Sequence, residues 1–241
     1  MIDYTSSEYT SEKLCEGIAA KSDTVINSFS MGKDSIASYI QLKRYFKNVH
    51  NVFYFIIPNL KFQRESLDYY EQKFGEKITV IPSPHFYHYL YNLLYQSPDR
   101  ITYIDNQIYD GKLYIPKYDE LFSYVKEDLN IPQDTYVATG VRRDDSLTRR
   151  LSIKKTGAEN KKRKQFFPVF DWSISKVRQE IKDSGIKLPI DYKIWGRTWD
   201  GVQYQFIKGV KENFPEDYET IKFWCPLCEI DFLRIRDYCN E

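Results

Sequence analysis

Short apolar runs rich in β-branched residues alternate with amphipathic segments along the first 140 residues of the chain. The runs predict strands, and segments with apolar residues three or four positions apart predict helices. The predicted strands are residues 24–28, 51–57, 77–81 and 135–138. The predicted helices are residues 11–21 with Ser11 as N-cap, 35–46, 64–74, 87–95 and 118–129, while the pattern of residues 101–115 is ambiguous. This alternation predicts βαβ units and a three-layer α/β fold, in which helices flank a parallel sheet.

The chain changes character after residue 140. Residues 142–164 contain ten Lys or Arg and only three acids, and such a charge run predicts a mobile, solvated loop. Helical patterns return at residues 173–184, 199–213, 218–223 and 231–238. We therefore predict an α/β domain of residues 1–165 and a C-terminal helical extension of residues 166–241 that packs on it.

Composition narrows the class of protein. The formal net charge is only +1, so the chain has no overall field that would attract nucleic acid or a membrane. No run approaches the roughly 18 apolar residues of a membrane span, and the N-terminus lacks a basic and apolar leader pattern. Four cysteines in 241 residues do not resemble a disulfide framework. We expect a cytoplasmic protein without a membrane partner, and its oligomeric state stays open, a homodimer included.

A candidate phosphate loop, Ser-Phe-Ser-Met-Gly-Lys-Asp-Ser, lies between the first strand and its helix. A phosphate site needs backbone N–H groups at a helix N-terminus and a small residue where the backbone approaches the anion. Gly32 allows that approach, Lys33 supplies a point charge, and Asp34 is a candidate Mg²⁺ ligand. The predicted phosphate ligands of this loop are Ser28, Ser30, Met31, Gly32, Lys33, Asp34 and Ser35. The alternative is an ordinary strand–helix turn with its charges in water.

Two further polar segments follow predicted strands. Glu65 follows the second strand, where an acid at the start of a helix complements the helix dipole. Residues 140–149 follow the last predicted strand, and Arg142 and Arg149 present planar forks that match phosphate or sulfate. A solvated basic loop is the alternative interpretation.

These motifs resemble those of the PP-loop superfamily, which contains ATP pyrophosphatases and phosphoadenylyl-sulfate (PAPS) reductases. The loop resembles the superfamily's S-G-G-K-D-S motif, with Met31 in place of the first glycine, which implies a less tight turn. Glu65 and Ser66 stand where the superfamily carries Glu-Thr, which implies that Glu65 is a nucleotide ligand. Residues 140–149 resemble the G-x-R-x-x-E/Q-S-x-x-R stretch of the PAPS reductase family, with Asp145 as a shorter acid. This resemblance implies that Gly140, Asp145 and Ser146 are further nucleotide ligands.

Later segments extend the resemblance. Residues 167–173, with Leu188-Pro189 beyond them, resemble the family's P-L-x-D-W-S/T segment and its later proline turn, and we expect Asp171 and Trp172 to lock the C-terminal helices. In total the resemblance to the PAPS reductase family, of the adenine nucleotide α-hydrolase-like fold, covers residues 24–190. The Gly-Arg-Thr-Trp-Asp-Gly segment that begins at Gly196 resembles the versions found in phages and mobile elements.

The resemblance implies an enzyme that binds ATP and Mg²⁺ and cleaves ATP between the α- and β-phosphates. Lys33 favours this reaction, because reductases of the family usually lack that lysine and a pyrophosphate leaving group needs a cation. The implied catalytic residues are Lys33, Asp34, Arg142 and Arg149. An acceptor oxygen would attack the α-phosphorus, and the adenylylated acceptor would then meet a sulfur or nitrogen nucleophile. Sulfate, a tRNA base, a DNA backbone and a small metabolite all fit as acceptors.

Two other functions stay open. A thioredoxin-linked PAPS reductase uses a cysteine near its C-terminus, where this chain has Cys239, but the family's Glu-Cys-Gly-Leu-His context is absent around it. A non-catalytic nucleotide-binding partner in nucleic-acid modification would use residues 142–164 as its nucleic-acid surface. The relative affinity for ATP and PAPS and the activity of Cys239→Ser distinguish the ATP-cleaving enzyme from the reductase. Salt-dependent DNA binding without ATP turnover would indicate the non-catalytic partner.

Cys225 and Cys228 have the C-x-x-C spacing that metal and redox sites use. Zinc and iron–sulfur clusters normally need four ligands, and only Cys15 and Cys239 remain in the chain. We therefore expect buried structural cysteines, with a metal or redox site as the less favoured interpretations. The three histidines are too few and too clustered to predict a metal triad.

Overall fold

The computed structural model describes residues 9–101, 115–230, 232, 233 and 235. Its helices are α1 Ser11–Ala19, α2 Lys33–Leu42, α3 Lys61–Phe74, α4 Pro84–Tyr91, α5 Tyr118–Asp128, α6 Leu147–Thr156, α7 Ile174–Ser184, α8 Asp191–Trp195, α9 Tyr204–Asn213 and α10 Pro215–Trp224. Its strands are β1 Thr24–Ser28, β2 Asn48–Phe55, β3 Thr79–Pro82, β4 Val137–Thr139, β5 Glu159–Asn160 and β6 Gln165–Phe166. None of the helices in this described part combines the length and the apolar character that a membrane span requires.

The strands form one six-stranded sheet in the order β3-β2-β1-β4-β6-β5. β1 runs parallel to β2 and to β4, β4 runs parallel to β6, and the short β5 is antiparallel to β6. Val25, Ile26 and Asn27 of β1 are all buried. Because successive side chains of a strand point to opposite faces, both faces of the sheet are covered at its centre. The predicted α/β class, with helices flanking a mostly parallel sheet, is confirmed.

The chain folds into two compact units that interleave along the sequence. The first unit contains Met1–Phe53, Tyr70–Val80 and Asp119–Pro189, and the second contains Tyr54–Tyr69, Ile81–Tyr118 and Ile190–Glu241. A core of the first unit joins apolar side chains of α1, α2, α6 and the central strands. A core of the second unit joins aromatic and aliphatic side chains of α9, α10 and the segment that enters α3. The predicted division of the chain at residue 165 stays a prediction.

The basic stretch of residues 142–164 is not the mobile loop that its composition predicts. It contains a 3-10 turn at Arg143–Asp145, the helix α6 and the β5–β6 hairpin, so that prediction was wrong. Helix α6 buries Ile153 and no other residue, and it therefore lacks the apolar period by which a helix is recognised. Ser146 caps its N-terminus, and Gly157, at a φ of +78°, ends it.

Other predicted boundaries also differ from the structure. The N-cap of α1 is Thr10, so the prediction of Ser11 was wrong by one position. The predicted helix at 199–213 begins only at Tyr204, and residues 135–138 are not the last strand, because β5 and β6 follow. Residues 102–114 and most of 231–238 lie outside the described residues, and the interpretations made of those stretches stay predictions.

Candidate functional site

The carboxyl ends of β1 and β4 meet at one edge of the sheet. Ser28, the last residue of β1, is in register with Thr139, the last residue of β4. β2 and β3 precede β4 in the sequence, but they lie on the opposite side of β1 from β4. The strand order therefore reverses between β1 and β4. Ligands of open α/β sheets bind at such a switch point, between the loops that follow the two strands.

The loop after β1 turns sharply into α2. Met31 has a φ of +60° and is only 1 % exposed. A left-handed backbone costs a residue that has a side chain about 1 kcal/mol, and here it occurs where the resemblance would place a glycine. Gly32, the N-cap of α2, has an ordinary φ of −73° and offers no side chain to cap the helix. The first N–H groups of α2 therefore suit an external anion such as a phosphate.

Two hydroxyl groups line this turn. Ser35 Oγ donates to the Gly32 oxygen at 2.9 Å, and Ser30 Oγ accepts from the Gly32 N–H at 3.4 Å. The two hydroxyl oxygens lie 3.3 Å apart. Ser35 is buried whereas Ser30 is exposed, so the Ser30 hydroxyl is the one that a ligand reaches without a movement of the loop.

A buried polar network inside the first unit fixes α2 against β1 and β2. Asn27 Nδ2 donates to Asn51 Oδ1 at 2.9 Å, and Asn27 Oδ1 accepts from Ser38 Oγ at 2.8 Å. All three residues are buried, and the loss of one partner would leave the others unsatisfied in the core. Asn27 was missed at the level of sequence. The signal that would have found it is an amide in the middle of an otherwise β-branched strand.

The loop after β4 begins at Gly140, which packs directly on the start of α2. A Cβ atom at this position would lie 2.4 Å from the backbone oxygen of Asp34 and 2.8 Å from the backbone nitrogen of Ser35. Both distances are far below the favourable separation of about 3.5–4.0 Å between non-bonded atoms. Gly140 therefore acts through its missing side chain, because only a residue without one lets the two loops approach this closely.

Five charged side chains of alternating sign connect the two loops, and we refer to Lys33, Asp34, Arg142, Asp145 and Arg149 as the charge network. Lys33 Nζ lies 2.7 Å from Asp34 Oδ2, and Asp34 Oδ1 accepts from Arg142 Nε at 2.7 Å. Arg142 Nη2 donates to Asp145 Oδ1 at 2.6 Å, and Arg149 Nη1 donates to Asp145 Oδ2 at 2.7 Å. The structure thus brings the two predicted motifs together within one unit.

Arg142 is the centre of the charge network and its most buried member, with 6 % of the side chain exposed. A third donor, Nη1, reaches the carbonyl oxygen of Trp172 at 3.3 Å. The guanidinium therefore ties three segments of the first unit together, a role that the sequence did not predict. The ends of the network are more accessible, since Lys33 is 33 % and Arg149 49 % exposed. These two cations are therefore the members of the network that are most open to an external anion.

Glu65 belongs to the second unit, whereas the whole charge network belongs to the first. On α3 it lines a cavity of about 300 Å³ together with Lys61 and Phe214. The start of α3 is held by Asp217, whose carboxylate accepts from Lys61 N at 2.6 Å and from Phe62 N at 3.0 Å. The role of Glu65 as a nucleotide ligand stays a prediction.

Asp34 suits a magnesium ion that arrives with a nucleotide. Mg²⁺ is usually bound through one or two carboxylates together with phosphate oxygens of the substrate. Asp34 is 20 % exposed, and each carboxylate oxygen has a second lone pair beyond the one used in its ion pair. In the part of the chain that the structure describes, no group of three His, Cys, Asp or Glu side chains is placed to hold a metal ion.

Cys225 and Cys228 lie in the apolar core of the second unit. Burial raises the pKa of the Cys225 thiol to about 12 and that of the Cys228 thiol to about 11. Buried thiols with a raised pKa are neutral and poorly reactive at neutral pH. The predicted burial of both cysteines is confirmed. Cys239, the candidate redox cysteine, lies outside the described residues.

The segment with Asp171 and Trp172 contacts both the start of α1 and the charge network. The Asp171 carboxylate accepts from the Ser11 backbone N–H at 3.2 Å and from the Ser11 hydroxyl, so it anchors the start of α1 and not the C-terminal helices that we expected. The Trp172 ring is buried, with the Lys176 ammonium of α7 4.5 Å from its centre. Because its carbonyl group accepts from Arg142, this segment also fixes the charge network.

Neither a protein-family model nor a curated protein matches the chain. Among solved structures, the chain is similar to the U34-tRNA thiolase NcsA from Methanococcus maripaludis with its 4Fe-4S cluster. The identity is 13 %, the match covers 91 % of this chain and 79 % of that chain, and the TM-score is 0.42. A likeness this distant carries no argument about function, which therefore rests on the site itself.

Proposed function

We propose that the charge network and the turn at Met31 form the phosphate site of a PP-loop ATP-cleaving enzyme of the PAPS reductase type. The enzyme would cleave ATP between the α- and β-phosphates, adenylylate an acceptor and release pyrophosphate. The observation that carries the proposal is the 2.7 Å contact between Arg142 and Asp34. It joins the two loops that the sequence resemblance assigns to nucleotide phosphates, at the edge of the sheet where α/β enzymes bind their ligands.

Charge and backbone geometry both favour a polyphosphate here. Three cations and two carboxylates give the charge network a net charge of +1. The partial positive charge of the α2 N-terminus adds to it. Phosphate oxygens would replace the carboxylates as partners of Lys33 and Arg149, so the exchange keeps every cation paired.

Each residue has a defined task in the proposed reaction. The α2 N–H groups and the Ser30 hydroxyl would hold the phosphates in place. A bond forms from the acceptor oxygen to the α-phosphorus while the bond to the bridging α,β-oxygen breaks, and pyrophosphate leaves with that electron pair. Lys33 and Arg149 would stabilise the charge on the leaving group, while Arg142 is a positioning residue. Mg²⁺ at Asp34 would supply further neutralisation of that charge.

The test measures products from ATP labelled at the α- or the γ-phosphate, in the presence of Mg²⁺. We expect labelled pyrophosphate and AMP or an adenylylated product, and no orthophosphate. Lys33→Ala should slow pyrophosphate release by about 100-fold, the usual cost of one lost electrostatic contact to a developing charge. Lys47→Ala is the matched control, because Lys47 is an exposed lysine of the same unit outside the charge network. An unchanged rate in Lys33→Ala, or orthophosphate as the product, contradicts the proposal.

The sulfonucleotide reductase alternative gives the opposite results in two measurements. A reductase binds PAPS more tightly than ATP and loses its activity in Cys239→Ser. The proposed enzyme binds ATP more tightly and keeps its pyrophosphate release in Cys239→Ser. Equilibrium competition between the two nucleotides, followed by the assay of this variant, separates the two reactions.

A further inference from the structure

Positive charge is concentrated in residues 142–164. Ten Lys or Arg against three acids give this segment a net charge of +7, whereas the other residues, with 25 basic and 31 acidic side chains, carry −6. The near-neutral net charge of the chain is therefore the sum of a basic segment and an acidic remainder. Salt screens exposed charges beyond about 8–10 Å, so a bound partner responds to such a local cluster and not to the total charge.

The acids of this segment are already engaged. Asp145 belongs to the charge network, Asp144 lies 3.0 Å from Arg150, and Glu159 accepts a hydrogen bond from Tyr136 at 2.7 Å. Five exposed cations have no carboxylate partner among the described residues, and we refer to them as the basic surface. They are Arg143, Lys154, Lys155, Lys161 and Lys162. Because nothing in this segment neutralises them, they are available to an external polyanion.

Helix α6 presents almost all of its surface to solvent, since Ile153 is its one buried residue. Leu147 and Leu151 are 70 % and 57 % exposed, and their spacing of four places them on one side of the helix. Lys154 and Lys155 follow one turn later. An exposed apolar pair beside unpaired cations matches a ligand with charged phosphates and apolar base faces.

We propose that the basic surface binds single-stranded nucleic acid and presents it as the acceptor to the ATP site. This inference rests on the proposed function for its acceptor role, but binding itself is measured independently. Helix α6 begins at the charge network, because Ser146 is its N-cap and Arg149 lies in its first turn. A strand bound along α6 and the β5–β6 turn therefore ends beside the cations assigned to ATP.

An anionic membrane would also attract these lysines, but the structure favours nucleic acid. Helices that lie on membranes bury one broad apolar face, whereas α6 offers only Leu147 and Leu151, with cations one turn away. In addition, Lys161 and Lys162 lie in the turn between β5 and β6 and not on the helix. A flexible polyanion follows both elements.

The test uses the full-length chain and fluorescence anisotropy with labelled RNA and DNA single strands of about 20 nucleotides, which exceeds the usual site size of such proteins. We expect the logarithm of the binding constant to fall with the logarithm of salt concentration by about 0.7 per neutralised phosphate. Combined Lys154→Gln, Lys155→Gln, Lys161→Gln and Lys162→Gln should weaken binding at least tenfold and reduce this slope by up to about 3. The strand that binds more tightly shows whether the basic surface prefers RNA or DNA.

The matched control replaces four exposed lysines elsewhere in the first unit. These are Lys13, Lys21, Lys47 and Lys182, each changed to Gln. This control removes the same formal charge and should bind like the unmodified chain. An equal loss in both variants, no binding to either strand at low salt, or binding only to vesicles of phosphatidylserine in phosphatidylcholine overturns the proposal. ATP affinity should be unchanged in the surface variant, so failure here is distinct from failure of the ATP reaction, which Lys33→Ala reports.

Discussion

The backbone of Gly140 lies against the backbone of Asp34 so closely that a methyl group on Gly140 would stand 2.4 Å from the Asp34 oxygen. Gly140 opens the loop after β4, and Asp34 lies in the first turn of the helix after β1. Their contact sets the distance between the two loops. The 2.7 Å ion pair from Arg142 to Asp34 depends on this distance.

Gly140→Ala should therefore destabilise the fold and weaken ATP binding together. An added methyl group in a packed position costs about 1–3 kcal/mol, and here backbone atoms must move to admit it. Urea unfolding measures the first effect and titration calorimetry with Mg·ATP the second. Gly17→Ala is the control, because its Cβ would meet nothing within 4 Å and alanine within a helix is favoured by up to about 1 kcal/mol. A Gly140→Ala protein with unchanged stability and ATP affinity would show that the loops do not depend on this contact.

Arg142→Met should cost much more stability than Arg150→Met. Removal of Arg142 breaks the two least exposed ion pairs of the charge network, those to Asp34 and Asp145. Each carboxylate keeps one more exposed cation as a partner, so the expected cost is at the lower end of the range for a broken buried pair, about 3 kcal/mol. Arg150 and Asp144 are 60 % and 41 % exposed, so loss of that pair should cost about 1 kcal/mol or less. Denaturant unfolding of both variants makes the comparison. Similar losses would mean that Arg142 does not organise the site.

Met31→Gly should be more stable than Met31→Ala, the reverse of the usual order. Both changes remove the same buried side chain, which costs about 2–5 kcal/mol. Glycine accepts the φ of +60° at this position, whereas alanine retains a strain of about 1 kcal/mol. Thermal or urea unfolding of the two variants checks the order. Greater stability of the alanine variant would show that the turn does not keep its left-handed backbone.

The buried thiols predict a loss of stability at alkaline pH. Burial raises the pKa of both Cys15 and Cys225 to about 12, from an ordinary value of 9.0. The unfolded chain therefore releases these protons above pH 9 while the folded chain keeps them, so the free energy of unfolding falls as pH rises from about 9 towards 12. Below pH 9 these thiols make no pH-dependent contribution.

Urea unfolding between pH 7 and pH 11 measures this dependence. The Cys15→Ala, Cys225→Ala double variant should show a shallower decline above pH 9, because it lacks both groups. An identical slope in the two proteins would assign the decline to other groups, such as the buried tyrosines. Iodoacetamide at neutral pH should also leave both thiols unmodified in the folded protein and modify them after unfolding.

The alternating strands and helices could be predicted because each buries a periodic set of side chains. β1 was predicted with its observed bounds, Thr24–Ser28, and α7 to within one residue. The position of the phosphate loop followed from the end of β1 and from the residue types of the loop. Helix α6 escaped prediction, since a helix with one buried residue has no apolar period to detect.

The charge network could be predicted in its membership but not in its arrangement. Arginine is usually exposed, so the sequence favoured a solvent-facing clamp at Arg142. Its burial depends on Asp34, 108 positions away, and on Trp172, 30 positions away. No local pattern reports such distant partners. The order of the strands could not be predicted either, because periodicity does not indicate on which side of β1 the strand β4 pairs.

The interleaving of the two compact units restricts how the chain can be shortened. β2, α3, β3 and α5 each pass from one unit into the other, so four of the five boundaries cut through hydrogen-bonded elements, and the fifth lies between α7 and α8. A truncation at one of those four boundaries breaks a strand or a helix. A truncation after Pro189 removes one of the three segments of the second unit. We expect limited proteolysis to yield nicked, full-length assemblies more readily than stable fragments, and binding studies on this protein should use the intact chain.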